Sequence, residues 1–146
     1  MRTFICCLLL LMVVSACGNI TEDDLIGGTW VATSGYIDGE TSGTPNCGQL
    51  NTGLQFLDEE LVYVVGEKRN FEYELREGME QMEIKFFDPE LRERREEKGD
   101  EEVETYWYLM GEYFIEKHSN NEFSLEDQWT SIQNPHHCYM ERQDSE

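Results

Sequence analysis

Basic residues are scarce. The chain has 11 Lys and Arg against 31 Asp and Glu, a net charge of −20 at pH 7. So acidic a surface repels phosphate backbones and anionic headgroups, and nucleic acid is not an expected partner. Cations and basic proteins are the charged partners that fit. Long apolar runs are also missing. The stretch Ile5 to Ala16 falls short of the roughly 20 residues a transmembrane helix needs, and polar Gly18-Asn19 follow at once. No Gly-x-Ser-x-Gly, Ser-x-x-Lys, His-Glu-x-x-His or glycine-rich phosphate loop occurs, so no enzyme, catalytic residue or cofactor is expected. Cysteine is limited to five, at positions 6, 7, 17, 47 and 138.

What is present begins with one charge at Arg2, an apolar run, and then Val14-Ser15-Ala16-Cys17. Small residues directly before a cysteine, behind an apolar segment, resemble the signal and lipobox of bacterial lipoproteins. The resemblance implies cleavage before Cys17, loss of residues 1–16 as a signal peptide, and palmitate-type acyl chains on the Cys17 sulfur and its new α-amine. Two or three such chains, at roughly 0.8 kcal/mol per buried methylene, anchor a protein stably. Lipoproteins retained in the inner membrane often carry aspartate after the cysteine. Gly18 stands there instead, so the resemblance implies the outer membrane, on its periplasmic face or at the cell surface. Residues 17–24 read as a polar tether, and 25–146 as one β domain of ordinary size. Cys6 and Cys7 leave with the signal, and Cys17 is acylated. Cys47 and Cys138 remain, in a chain exported to an oxidising compartment, and are expected to form a disulfide.

Along the domain the periodicity is that of strands. Thr29-Trp30 leads into Val31 to Ile37, and Asp38-Gly39 is a turn signal. Residues 40–53, rich in Gly, Ser, Thr and Asn, read as a loop holding Cys47. Leu54 to Leu57 and Leu61 to Val65 follow, with Asp58-Glu59-Glu60 as the hairpin between them. Phe71, Tyr73 and Leu75 alternate with charged neighbours, as do Met82, Ile84 and Phe86. Then come Val103 to Leu109, Tyr113 to Ile115, Phe123 with Leu125, and Cys138 to Met140. About eight short strands joined mainly by turns predict an all-β domain, a single antiparallel barrel or sandwich.

One stretch breaks the alternation. Asp88-Pro89 is an N-cap followed by proline at the first helical position, and Gly99 is a terminator. Leu91 is the only strongly apolar residue of this stretch. A short solvated helix or a charged hairpin over 88–102 satisfies the pattern, and nothing in it obliges the segment to dock. It is also the arm through which a basic partner would be met.

Gly28-Thr29-Trp30, at the mouth of the first strand of a small exported β chain, resembles the start of a lipocalin. The layout of lipobox, acidic tether, Gly-x-Trp and alternating strands is similar to that of small lipocalin-like lipoproteins of Gram-negative bacteria. The resemblance implies an up-and-down barrel whose tryptophan closes one end beneath a late basic residue, here Arg142. It also implies a lipid-anchored binding module taking a small apolar ligand. The alternative is an acidic interaction module, an inhibitor or assembly accessory without a ligand cavity. Trp30, Phe71, Tyr73, Phe86 and Trp107 are the possible ligand-lining residues. Barrels of this size are as often filled as hollow, and the sequence leaves both open. His136-His137-Cys138, with Cys47 and His118, are zinc-type donors, but adjacent histidines point to opposite faces of a strand and a disulfide would consume both sulfurs. No metal is expected there. The acidic triplets 58–60 and 100–102 lack EF-hand spacing.

Overall fold

The computed structural model describes residues 18–98, 109–128 and 137–143. Cys17, Trp107, His136 and the segment 99–108 lie outside these residues. The barrel strands are β1 (Thr29–Ser34), β4 (Leu54–Phe56), β5 (Leu61–Val64), β6 (Arg69–Glu77), β7 (Met82–Phe87), β8 (Leu109–Ser119), β9 (Glu122–Asp127) and β10 (His137–Gln143). The remaining elements are a small hairpin, β2 (Tyr36–Ile37) and β3 (Glu40–Thr41), a 3-10 helix (Gly48–Thr52), and two helices, α1 (Glu22–Leu25) and α2 (Pro89–Glu96). From β4 to β10 each strand pairs antiparallel with the next in sequence. β1 then pairs with both β10 and β4 and closes an eight-stranded barrel. This up-and-down barrel is the architecture the lipocalin resemblance implied, and it resolves the choice against a sandwich.

Alternation sets the two faces of the wall. Leu54 and Phe56, Val62 and Val64, Phe71 and Tyr73, Ile84 and Phe86, Phe123 and Leu125, and Cys138 and Met140 all point inward and are buried. The expected run over 103–108 lies outside the described residues, while β8 runs unbroken from Leu109 to Ser119, through the expected run 113–115. Gly111 sits within it because the Tyr113 ring folds back over its backbone, 2.4 Å from where a Cβ would stand. The Asp38-Gly39 turn has φ of 53° and 83° at its two central residues, the left-handed pair a tight hairpin needs.

The two ends differ. One end carries the short turns 57–60, 78–81 and 120–121 together with α1. The other carries the long connections from β1 to β4 and from β7 to β8. The first end is sealed by Trp30. Its indole Nε1 donates to the Leu25 carbonyl at 2.8 Å, Phe123 packs 4.6 Å away, and the Arg142 guanidinium lies 4.4 Å over the ring. Arg142 also donates to the Asp24 carbonyl. Gly28, at φ +74°, is required beside it, since a Cβ there would sit 3.0 Å from Arg142 Cγ. The Gly-x-Trp triplet thus has a steric cause.

Two expectations are corrected. The polar segment is folded from Ile20 onward rather than acting as a tether to Asp24. Ile20 is buried, Thr21 and Asp24 form a reciprocal cap on α1, and Lys117 pairs with Asp24 at 2.6 Å. The excursion after β7 is a helix over 89–96, and it is docked. Arg92 grips Glu72 through two bonds of 2.6 Å, and Asp88, buried, both caps the helix and pairs with Arg69. Charge does here what a single leucine could not.

Candidate functional site

The interior is filled at the Trp30 end and partly hollow at the other. A cavity of about 250 Å³ opens there, lined by Cys47, Gly48, Gln49, Leu50, Val64, Phe71, Phe86 and Tyr113. Four of these come from the wall strands β5 to β8. The other four come from the 3-10 helix and its N-cap, which lie across the mouth. Three attachments hold that cover in place. Cys47 is disulfide-bonded to Cys138, Asn46 N donates to the His137 carbonyl at 3.1 Å, and Asn51 Oδ1 accepts from Cys47 N at 2.7 Å. The expected disulfide is therefore a structural part of the cavity, and both sulfurs are withdrawn from any metal.

The lining is largely apolar. Phe71 is held from behind by the Arg69 guanidinium, 4.3 Å from its ring centroid, and Phe86 meets Tyr113 edge-on at 6.0 Å. Tyr113 brings the one buried polar side chain of the lining. Burial, with the charge of Asp127 second, pushes its phenol up to about 12, so it stays a neutral donor. No hydrogen bond to this hydroxyl is found among the described residues. Arg69 is committed elsewhere. Its bidentate pair with Asp88 holds that carboxyl below the usual carboxylate range.

Of the possible lining residues, Phe71 and Phe86 line the cavity. Trp30 does not, because it closes the opposite end. Tyr73 is buried one layer further towards that closed end, edge-on to Phe56 at 4.9 Å, and its hydroxyl donates to the Asp58 carbonyl at 2.8 Å. Trp107 lies outside the described residues. Leu50, Val64 and Tyr113 were missed as liners. Leu50 had a signal, being the lone leucine in a polar loop beside a cysteine expected to be tied down.

A second hollow is lined by Glu22, Glu59, Glu60, Glu72 and Glu74, by Tyr73, Leu75 and Phe87, and by Arg92, which pairs with Glu72. Among the described residues no group of three or more His, Cys, Asp or Glu is placed to hold a metal ion, and no helix is long and apolar enough to cross a membrane. No family model, curated protein or solved structure matches the chain.

Proposed function

We propose that the chain is an exported lipoprotein, anchored through acyl chains on Cys17, whose barrel binds a small uncharged apolar ligand in the mouth cavity. The observation that carries the binding reading is the 250 Å³ cavity with Leu50, Val64, Phe71 and Phe86 on its walls. That volume suits a molecule smaller than a typical drug, since common ligand pockets run from about 300 to 1,000 Å³. Net charge of −20 opposes an anionic ligand, and the Tyr113 hydroxyl offers one donor to a neutral acceptor such as an ester or ketone oxygen. The anchor reading is supported by Val14-Ser15-Ala16-Cys17, and the outer-membrane destination by Gly18. In this reading the protein is a binder and not an enzyme.

Calorimetric titration with short straight-chain methyl esters and the matching carboxylates tests the ligand class. Esters are expected to bind and carboxylates to bind at least tenfold more weakly, about 1.4 kcal/mol. Val64→Phe should fill the cavity and abolish ester binding while the fold persists. Equal ester affinity in that variant would sink the proposal. The second reading, docking of a basic protein, draws on the hollow where five glutamates stand against the single Arg92. Its signature is capture of a basic partner that salt releases.

A further inference from the structure

The chain enters the folded domain at a fixed place. Ile20 is 3% exposed, and Gly18 and Asn19 share with it a hollow bounded by Glu80 and Gln81 of the β6–β7 turn, Met82 of β7 and Ile115 to Lys117 of β8. The capping box of α1, the Lys117–Asp24 pair and the Arg142 contact with the Asp24 carbonyl pin this segment to the Trp30 end of the barrel. Between buried Ile20 and Cys17 stand two residues. Fully extended, the three steps from Cys17 to Ile20 span about 10 Å. The wall is longer than that, since the seven residues of β10 alone span about 20 Å along the strand. A leash so short cannot bring the mouth down to a surface that holds Cys17.

The same end is where large apolar side chains reach into solvent. Met79, at the tip of the β6–β7 turn, is fully exposed, and Leu57, opening the β4–β5 turn, is 49% exposed. Among the described residues the third exposed large apolar side chain, Ile37, sits in the β2–β3 hairpin, whose Tyr36 packs on the outer wall against His118 at 4.9 Å and Tyr139 at 5.8 Å. The turns bearing Met79 and Leu57 also carry Asp58, Glu59, Glu60 and Glu80. Such a face repels anionic headgroups and tolerates zwitterionic ones.

We infer that the closed end is a membrane-contact face. The anchor seats the Trp30 end on a zwitterionic lipid surface with Met79 at headgroup depth, and the ligand mouth faces away from the bilayer. The inference rests on acylation of Cys17, as proposed above. One consequence concerns traffic: ligand enters and leaves through the aqueous compartment and not directly from the anchoring leaflet.

The test uses the full acylated chain reconstituted in phosphatidylcholine vesicles containing a brominated lipid, which quenches nearby tryptophan. Added emission from Met79→Trp should be quenched at least twofold, and that from Gln49→Trp, an exposed position of the 3-10 helix across the mouth, should be unchanged. Adding phosphatidylglycerol should weaken the Met79→Trp quenching at low salt, and salt should restore it. An intact mass without acyl chains on Cys17 would overturn the anchor and the orientation together. An acylated chain in which Gln49→Trp is quenched as strongly as Met79→Trp would overturn the orientation alone.

Discussion

At the scale of single residues, the closed end depends on contacts that leave no room for substitution. Gly28 combines a left-handed φ of +74° with a backbone that lies against the stem of Arg142, and Arg142 in turn covers Trp30. Gly28→Ala is therefore expected to cost about 1–3 kcal/mol, from backbone strain and displacement of the arginine. A urea midpoint unchanged from the parent would refute this. The triplet Gly28-Thr29-Trp30 and its basic partner Arg142 were legible through the lipocalin resemblance, since Trp30 and Arg142 lie 112 positions apart and no local pattern joins them. The roles of Tyr113 and Leu50 were not. The Tyr113 side chain faces the cavity because the ring lies over Gly111, a contact between residues two apart that hydrophobic alternation does not encode.

At the scale of elements, strands were easy and dockings were hard. Period-two alternation put Phe71, Tyr73, Ile84 and Phe86 on the inner face without knowledge of their partners. Although a charged hairpin satisfied the same stretch, the N-cap pattern of a helix at Asp88-Pro89 was visible too. Its attachment was not, because Arg92 reaches Glu72 across 20 residues of sequence and Asp88 reaches Arg69 across 19. The α1 segment was hidden by its polarity, since Glu22-Asp23-Asp24 looks solvated until Thr21 caps it and Lys117 and Arg142 meet it. These ion pairs make a pH prediction. Asp88 and Asp24 are both held below the ordinary carboxylate range, Asp88 first by its bond to Arg69 and Asp24 first by its bond to Lys117. A lowered folded pKa stabilises above the unfolded value of about 4, and that stability is lost as pH falls through the folded value. Asp88→Asn keeps a capping oxygen and removes the charge. Chemical denaturation should show it about 2 kcal/mol less stable than the parent at pH 7, with the difference shrinking as pH falls below about 4. A constant difference from pH 7 to pH 2 would remove the Arg69–Asp88 pair as its cause.

At the scale of the molecule, the basic residues are largely consumed within the fold. Arg69, Arg76, Lys85, Arg92 and Lys117 all sit in ion pairs, and Arg142 covers Trp30. The acidic excess is thereby left to the outer surface. The Cys47–Cys138 bond joins positions 91 residues apart and fixes the cover that supplies half of the cavity lining. Replacing both cysteines by serine is expected to cost up to about 4.5 kcal/mol on the chain-entropy account and to weaken ester binding at least tenfold. Parallel denaturation and calorimetry check both, and undiminished affinity would show that the 3-10 helix holds its place without the bond.

The sequence by itself determined the strands, the inner and outer faces and the acidic surface, which follow from spacing along the chain or from counting. The cysteine pair and the tryptophan-closed end came from its resemblance to lipoproteins and lipocalins. Closure into a barrel was decided only in three dimensions, because it requires β1 to pair with β10 and β4 at once. So was the docking of α2, which joins charges distant in sequence. The cavity belongs to the same class. Its volume is the space left over when side chains from four strands and a cross-linked loop are packed together, and no local pattern records what a packing leaves unfilled.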